Sequence, residues 1–232
     1  MKICIAQTQP VKGDIEANLV DHINWINQAV NQNADFIIFS ELSLTGYEPE
    51  LAKDLAIDLD DPRLDAFQEV SDSKGIIICV GTPTKAKVGI CISLVIFQQN
   101  KDRSLYSKQY LHEDEFPYFI PGPSSNGIIE AQERIALAIC YETAIPAHSL
   151  AAAENKASIY ISSVAKTVNG AERTHKRLSG IAKQYGMHVM MCNCVGAFDG
   201  NIGGGQSAYW NGQGEFLSKL NMKQNKVLVI SI

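Results

Sequence analysis

Two hydrophobic periods take turns along the chain. Lys2 to Thr8 alternates as a strand does, and Gly13-Asp14 breaks it. Leu19, Ile23, Ile26 and Val30 then recur at helical steps and mark one helix face. Asp35 to Ser40 reads as a short buried strand, and Glu41 to Glu50 as a loop around Gly46 and Pro49. Leu64, Phe67 and Val70 predict a helix over 61–73, opened by Asp61-Pro62. Ile76 to Thr82 is another buried strand.

The pattern then changes. Gly89 to Gln98 and Arg103 to Lys108 read as consecutive strands around the polar turn Gln99 to Asp102. A loop with Pro117, Pro121, Gly122 and Pro123 follows. Strand-like runs return at Arg134 to Cys140, Ala157 to Ser162 and Met187 to Cys194. Helices are predicted at Pro146 to Glu154 and at Ala171 to Tyr185, the latter with Leu178, Ile181, Ala182 and Tyr185 on one side. Short strands fit Gln206 to Trp210, Gly214 to Lys219 and Lys226 to Ile230. Strand–helix–strand units beside runs of paired strands predict an α/β fold with mixed sheet in two packed layers, helices outside, and one domain over 1–232. The glycine-rich Gly200 to Gly205 lacks a phosphate loop's lysine and a dinucleotide loop's spacing, and is expected to be a flexible turn before a strand.

Composition narrows the class. Apolar residues are 46% and charged residues 19% of the 232, enough apolar surface to offset the cost of ordering a chain. The net charge of -5 does not suit a nucleic-acid binder. The one compact basic stretch, Lys166 to Arg177, is spaced as a solvated helix face. The longest apolar runs, Gly75 to Val80 and Ile135 to Tyr141, fall far short of the ~20 residues that span a bilayer. Gln7, Thr8 and Gln9 sit where a signal peptide keeps its apolar core, so a cytoplasmic location is expected.

Six cysteines are present: Cys4, Cys79, Cys91, Cys140, Cys192 and Cys194. Without a secretory signal a disulfide framework is not expected. Cys4, Cys79 and Cys91 lie in apolar runs and read as small buried hydrophobes. Cys192 and Cys194 share a strand face with His188 four residues before Cys192, but no second pair accompanies them, and no metal is expected.

Three polar residues follow apolar strands. Glu41 ends DFIIFS, where partial burial would raise a carboxyl toward general-base values. Lys108 ends LYSK. Cys140 closes RIALAIC at a strand-to-helix turn, where a thiol would sit beside free backbone N–H groups. Taken singly, each has an ordinary reading: a cap, a solvated lysine, a core cysteine. Together they fit acyl transfer by a thiol, with a carboxylate base and an ammonium to hold the oxyanion.

On these residues the chain resembles the carbon–nitrogen hydrolase (nitrilase-like) superfamily. The likeness rests on FSELSLTGY (Phe39 to Tyr47) around Glu41, YSKQYL (Tyr106 to Leu111) around Lys108, and ALAICYETAIP (Ala136 to Pro146) around Cys140. ICIAQTQP at the start, MMCNCVG, and GGGQSAYWNGQGE near the end extend it over nearly the whole chain. The resemblance implies an αββα sandwich and a thiol enzyme without cofactor or metal. Glu41 stands in the place of the base, Lys108 of the lysine and Cys140 of the nucleophile, with a backbone N–H near Tyr141 at the oxyanion. It also implies a second glutamate between lysine and cysteine. Glu115, which precedes Tyr118-Phe119, is preferred to Glu113. A homodimer or higher homo-oligomer is expected, although the chain stops just after its last strand, where many members carry a C-terminal tail that helps build the dimer. The chain departs from many relatives at SSVAKTVNG after Ile161, a region that shapes the substrate pocket.

The reaction expected is hydrolysis of a small amide to acid and ammonia or amine through a thioester. A nitrilase, or a non-catalytic binding module keeping the fold, is the alternative. An acyltransferase is disfavoured because no membrane segment or extra domain is seen. Histidine-based chemistry is disfavoured too: of His22, His112, His148, His175 and His188, only His112 lies near Lys108 in sequence, in an acidic loop. Tyr47, Tyr141 and Phe119 are candidates for an apolar wall, and Lys166, Arg173 and Arg177 for contacts to a substrate carboxylate.

Overall fold

The computed structural model describes residues 1–232. The first half runs β1 (Lys2–Gln7), α1 (Ile15–Asn31), β2 (Phe36–Phe39), α2 (Ala52–Leu55), α3 (Asp65–Lys74), β3 (Ile77–Lys85), β4 (Ile90–Phe97) and β5 (Ser104–Ser107). The second runs β6 (Ile128–Glu130), β7 (Arg134–Ile139), α4 (Pro146–Glu154), β8 (Ile159–Ser163), α5 (Val168–Tyr185) and β9 (His188–Cys192). It ends with β10 (Val195–Phe198), β11 (Asn201–Gly204), β12 (Ala208–Trp210), β13 (Phe216–Lys219) and β14 (Lys226–Ser231).

Two six-stranded sheets result, β14-β1-β2-β3-β4-β5 and β13-β12-β9-β8-β7-β6. Each has three parallel strands at its centre, β1–β2–β3 in one and β7–β8–β9 in the other, and antiparallel strands outside them. Strand alternation sorts the side chains of the first sheet. Ile3, Ile5, Phe36, Ile38 and Cys79 join a core of 39 buried residues shared with the second sheet. Their neighbours Cys4, Ala6, Ile37, Phe39, Ile78 and Val80 join a core of 17 on the other face, under α1 and α3. Ala171, Leu178 and Ala182 of α5 pack from the far side of the second sheet. This is the αββα sandwich, two mixed sheets face to face with helices outside. No helix is long and apolar enough to cross a membrane.

The differences from the sequence expectations have local causes. The Gly200 to Gly205 stretch is not a flexible turn. Asn201–Gly204 pairs with Val195–Phe198 as a two-stranded hairpin turning on Asp199 and Gly200, both with positive φ. Its glycines permit close packing: a Cβ on Gly204 would lie 2.5 Å from the backbone of Thr167 and Val168. Strand β9 stops at Cys192, two residues before the predicted end, and α5 begins at Val168 rather than Ala171 because Thr167 caps it, accepting from Gly170 N–H at 3.3 Å. The predicted helix over 61–73 opens as a short 3-10 turn, Pro62–Leu64, before α3. The buried stripe of α1 also differs. Ile15, Asn18, His22, Ile26 and Ala29 face inward, while Leu19, Ile23 and Val30 flank them.

Asn18 and His22 face inward because they hold the loop after β2. The Asn18 amide donates to Leu44 O (3.0 Å) and Val11 O (2.8 Å). His22 Nε2 lies 3.0 Å from Ser43 Oγ. Burial pushes His22 down to about 4, so it is neutral. Gly81 of β3 lets this loop approach, since a Cβ there would lie 2.5 Å from Ser40 O and 2.7 Å from Leu42 N. Gly81→Ala is therefore expected to lower stability by about 1–3 kcal/mol, read as a lower urea midpoint, and to lower activity by displacing Glu41. An unchanged midpoint would show that the loop yields freely.

Candidate active site

Glu41, Lys108, Glu115 and Cys140 converge at one end of the two sheets. Glu41 stands two residues beyond β2, in a turn where Leu42 takes φ +51°. Lys108 directly follows β5, and its N–H donates to Ile92 O at 2.8 Å, extending the ladder with β4. Glu115 closes a 3-10 turn, Glu113–Glu115. Cys140 directly follows β7 with φ +48°, and opens the 3-10 turn Cys140–Ala144 rather than an α-helix. A left-handed conformation is costly for a residue with a Cβ and concentrates at functional turns.

The Lys108 ammonium is fully enclosed. It donates to Glu41 Oε1 at 2.7 Å and to Glu115 Oε1 at 2.5 Å. Exposures of 2%, 0%, 1% and 7% for Glu41, Lys108, Glu115 and Cys140 make all four buried, with Cys140 the most accessible. Glu115 also accepts from Tyr47 O–H (2.9 Å) and His112 N–H (2.7 Å). Every oxygen of Glu115 is thus used, whereas Glu41 Oε2 is buried without a partner. Glu113 is exposed and outside this cluster.

Burial raises the Glu41 carboxyl, and Glu115 adds to the rise while Lys108 opposes it. Burial works against the charged form of Lys108, but Glu41, Cys140 and Glu115 outweigh it and its pKa is raised. The lysine therefore keeps its proton at neutral pH. Burial and Glu41 both raise the Cys140 thiol, and Lys166 and Lys108 pull it back. Burial and the carboxylates of Glu41 and Glu115 push Tyr47 far up, so its O–H stays a donor.

Glu142 was not assigned a site role from the sequence. Its carboxylate accepts from Ile139 N–H, Gln109 N–H and Tyr106 O–H, each at 2.7 Å. It thereby ties the turn of Cys140 to the strand end carrying Lys108. Tyr106 O–H also meets His148 Nε2 at 2.8 Å, and His148 Nδ1 meets Tyr160 O–H at 2.9 Å. The signal was present as an acid two residues after the cysteine.

A cleft of about 180 Å³ opens onto Cys140, lined also by Tyr47, Glu115, Lys166, Arg173 and Phe198, with His112, Asp114 and Asp199 among its other walls. Phe198 meets the Tyr47 ring edge-on at 5.9 Å. A larger hollow of about 650 Å³, between 58–68 and 101–103, holds no nucleophile and lies apart from the four residues. Of the expected apolar wall, Tyr47 lines the cleft. Phe119 is buried in the core instead, and the Tyr141 ring stands outside the cleft's lining, edge-on to His112 at 5.1 Å. Lys166 leaves the expected solvated helix face, because it precedes α5 and turns into the cleft. Arg177 instead reaches Thr143 Oγ1 at 3.3 Å.

Cys192 Sγ packs 3.2 Å from Ala6 O and 3.4 Å from Ile38 O, between the sheets. His188 Nδ1 bonds to Tyr209 O–H at 2.7 Å. The two thus serve different packing roles.

Residues 2–232 match the carbon–nitrogen hydrolase family. The glutamine-dependent NAD(+) synthetase of Acinetobacter baylyi is 27% identical over 223 residues, 92% of this chain and 41% of the synthetase. That of Thermotoga maritima is 25% identical over 246 residues, 100% of this chain and 42% of the synthetase. The chain thus spans about two-fifths of the length of these curated relatives. Among solved structures, an amidase from Nesterenkonia sp. AN1, in a mutant with acrylamide added to its active-site cysteine, superposes with TM-score 0.91. It is 20% identical, and the match covers 100% of this chain and 93% of that one.

Proposed function

This chain belongs to the carbon–nitrogen hydrolase family, and from that premise we propose that it hydrolyses a small amide through a thioester on Cys140. The observation that carries the reading is the asymmetric use of two buried carboxylates. Both oxygens of Glu115 accept hydrogen bonds, and Glu41 keeps one oxygen free.

In this reading Glu41 is the base. Its free oxygen takes the thiol proton as sulfur bonds to the amide carbon. The Lys108 ammonium spends two N–H bonds on Glu41 and Glu115, and the third is available to the tetrahedral oxyanion. A backbone N–H near Tyr141 is the second donor. Protonated Glu41 gives its proton to the nitrogen as the C–N bond breaks. Ammonia or amine leaves and the acyl group stays on sulfur. Glu41 then deprotonates a water as its oxygen bonds to the acyl carbon, the C–S bond breaks, the carboxylic acid leaves, and the proton returns to sulfur. Glu115 and Tyr47 hold the lysine in place. No cofactor enters this sequence.

For substrate class, an amino-acid ω-amide has specific support. The curated relatives carry "glutamine-dependent" in their names. In addition, the cleft sets Arg173 against Asp114 and Asp199, charges that suit a carboxylate and an ammonium. The test is ammonia release from acetamide, butyramide, glutamine, carbamoyl amino acids and the matching nitriles. The expected result is release from amides, with glutamine ahead of acetamide and nitriles inert. Turnover of nitriles with amides inert would replace this reading with a nitrilase.

A further inference from the structure

Lys166 is built into the site more firmly than a rim lysine. Its N–H donates to Asn193 Oδ1 at 2.8 Å. Its carbonyl accepts from Asn193 Nδ2 at 3.0 Å and from Gly204 N–H at 2.7 Å. Asn193 is fully buried, and its amide also donates to Gly205 O at 2.7 Å. The side chain then crosses Gly170, where an added Cβ would sit 3.3 Å from Lys166 Cδ and 3.4 Å from its Cβ. At its end the side chain lines the same narrow cleft that opens onto Cys140.

The charges around the thiol give that placement a consequence. Cys140 faces Glu41 and Glu115 with Lys108. Two carboxylates against one ammonium leave an excess negative charge beside a buried sulfur, which opposes a thiolate. Tyr47 and Cys194 also face the sulfur and stay neutral, both held well above neutral pH by burial first. Lys166 itself is stabilised in its charged form by Cys140 first, against its own burial, with Glu41 adding to the effect. His112, Asp114, Asp199 and Arg173 line the rest of the cleft.

We propose that Lys166 is a further catalytic residue, a second ammonium that holds the Cys140 sulfur as thiolate in the attack and again as the leaving group of the thioester. The inference rests on the thiol-hydrolase reading. The thiol proton goes to Glu41, the electron pair stays on sulfur beside Lys166, and Lys166 keeps its own proton throughout. Lys108 remains free for the oxyanion.

The test titrates the thiol without any substrate. Wild type, Lys166→Met and Lys166→Arg are alkylated with iodoacetamide across neutral and alkaline pH. Labelling is read on the tryptic peptide Ile135–Lys156, which contains Cys140 and no other cysteine. Lys166→Met should move the labelling midpoint up by about one pH unit and slow labelling at neutral pH roughly tenfold, with Lys166→Arg restoring most of it. On acetamide, a neutral substrate, kcat of Lys166→Met should fall and the acid limb of its pH profile should move up in step. Coincident thermal melts establish that the variants are folded. A midpoint that stays put in folded Lys166→Met overturns the proposal. So does an effect confined to KM for carboxylate-bearing amides, which would make Lys166 a substrate contact. A shifted midpoint together with ammonia release that survives Cys140→Ala would leave the thiolate role standing and remove the hydrolase reading instead.

Discussion

Glu41→Gln is expected to lower kcat/KM for a small amide by roughly 10³-fold, the scale of a lost general base. The substitution keeps the shape of the side chain, and the amide oxygen still accepts from Lys108, so the fold should survive. What is lost is the proton acceptor at Oε2, the buried oxygen that no other group uses. Because the proposed mechanism gives this one oxygen the proton transfers of attack, amine departure and water attack, both half-reactions should slow together. Rapid acid quench and mass measurement of the Cys140 peptide reads this directly. Little acyl-enzyme should build up. A stable thioester accumulating in Glu41→Gln would confine Glu41 to deacylation.

Lys108→Met has the second large effect, and it reaches stability as well as rate. Removing an oxyanion donor typically costs ~3 kcal/mol in the barrier, so kcat should fall about 100-fold or more. A change in KM alone would contradict the oxyanion role. The variant also leaves Glu41 and Glu115 facing each other, buried, with no cation between them. Breaking a buried ion pair from one side costs about 3–5 kcal/mol. Burial already raises Glu41, and Glu115 raises it further. Without Lys108 the carboxyl rises more. A carboxyl raised in the folded state is best tolerated below its unfolded pKa, and its penalty grows as pH climbs through the folded value. The stability deficit of Lys108→Met should therefore be largest at neutral pH and above, and shrink toward pH 5. Denaturant melts across that range measure it. A deficit that grows on acidification would mean that the two carboxylates are not the cause.

Sequence periodicity carried the central strands because each is buried on both sides. Phe36–Phe39 and, after Arg134, the rest of β7 to Ile139 read as unbroken apolar runs bounded by polar residues. Two of the candidate site residues were visible for a related reason: Glu41 and Cys140 are polar residues just after such runs, whereas Lys108 follows the half-exposed SLYS of β5. The elements not read are those whose pattern carries little hydrophobic signal. β6 has three residues at a sheet edge, and β10–β11 are glycine-rich because Gly203 and Gly204 press against other backbone. Lys166 was misread because its basic neighbours Arg173, Lys176 and Arg177 do lie exposed on α5. The grip of Asn193, 27 residues away in sequence, and of Gly204 N–H fixes its backbone where the side chain reaches the cleft. Contacts of that range leave no periodic trace.

The most direct measurement is ammonia release by wild type beside Cys140→Ala, with the Cys140 peptide weighed after acid quench. The predicted result is release by wild type alone, with acyl mass on Cys140. Equal release by both proteins, with no acyl adduct, would contradict a thioester mechanism.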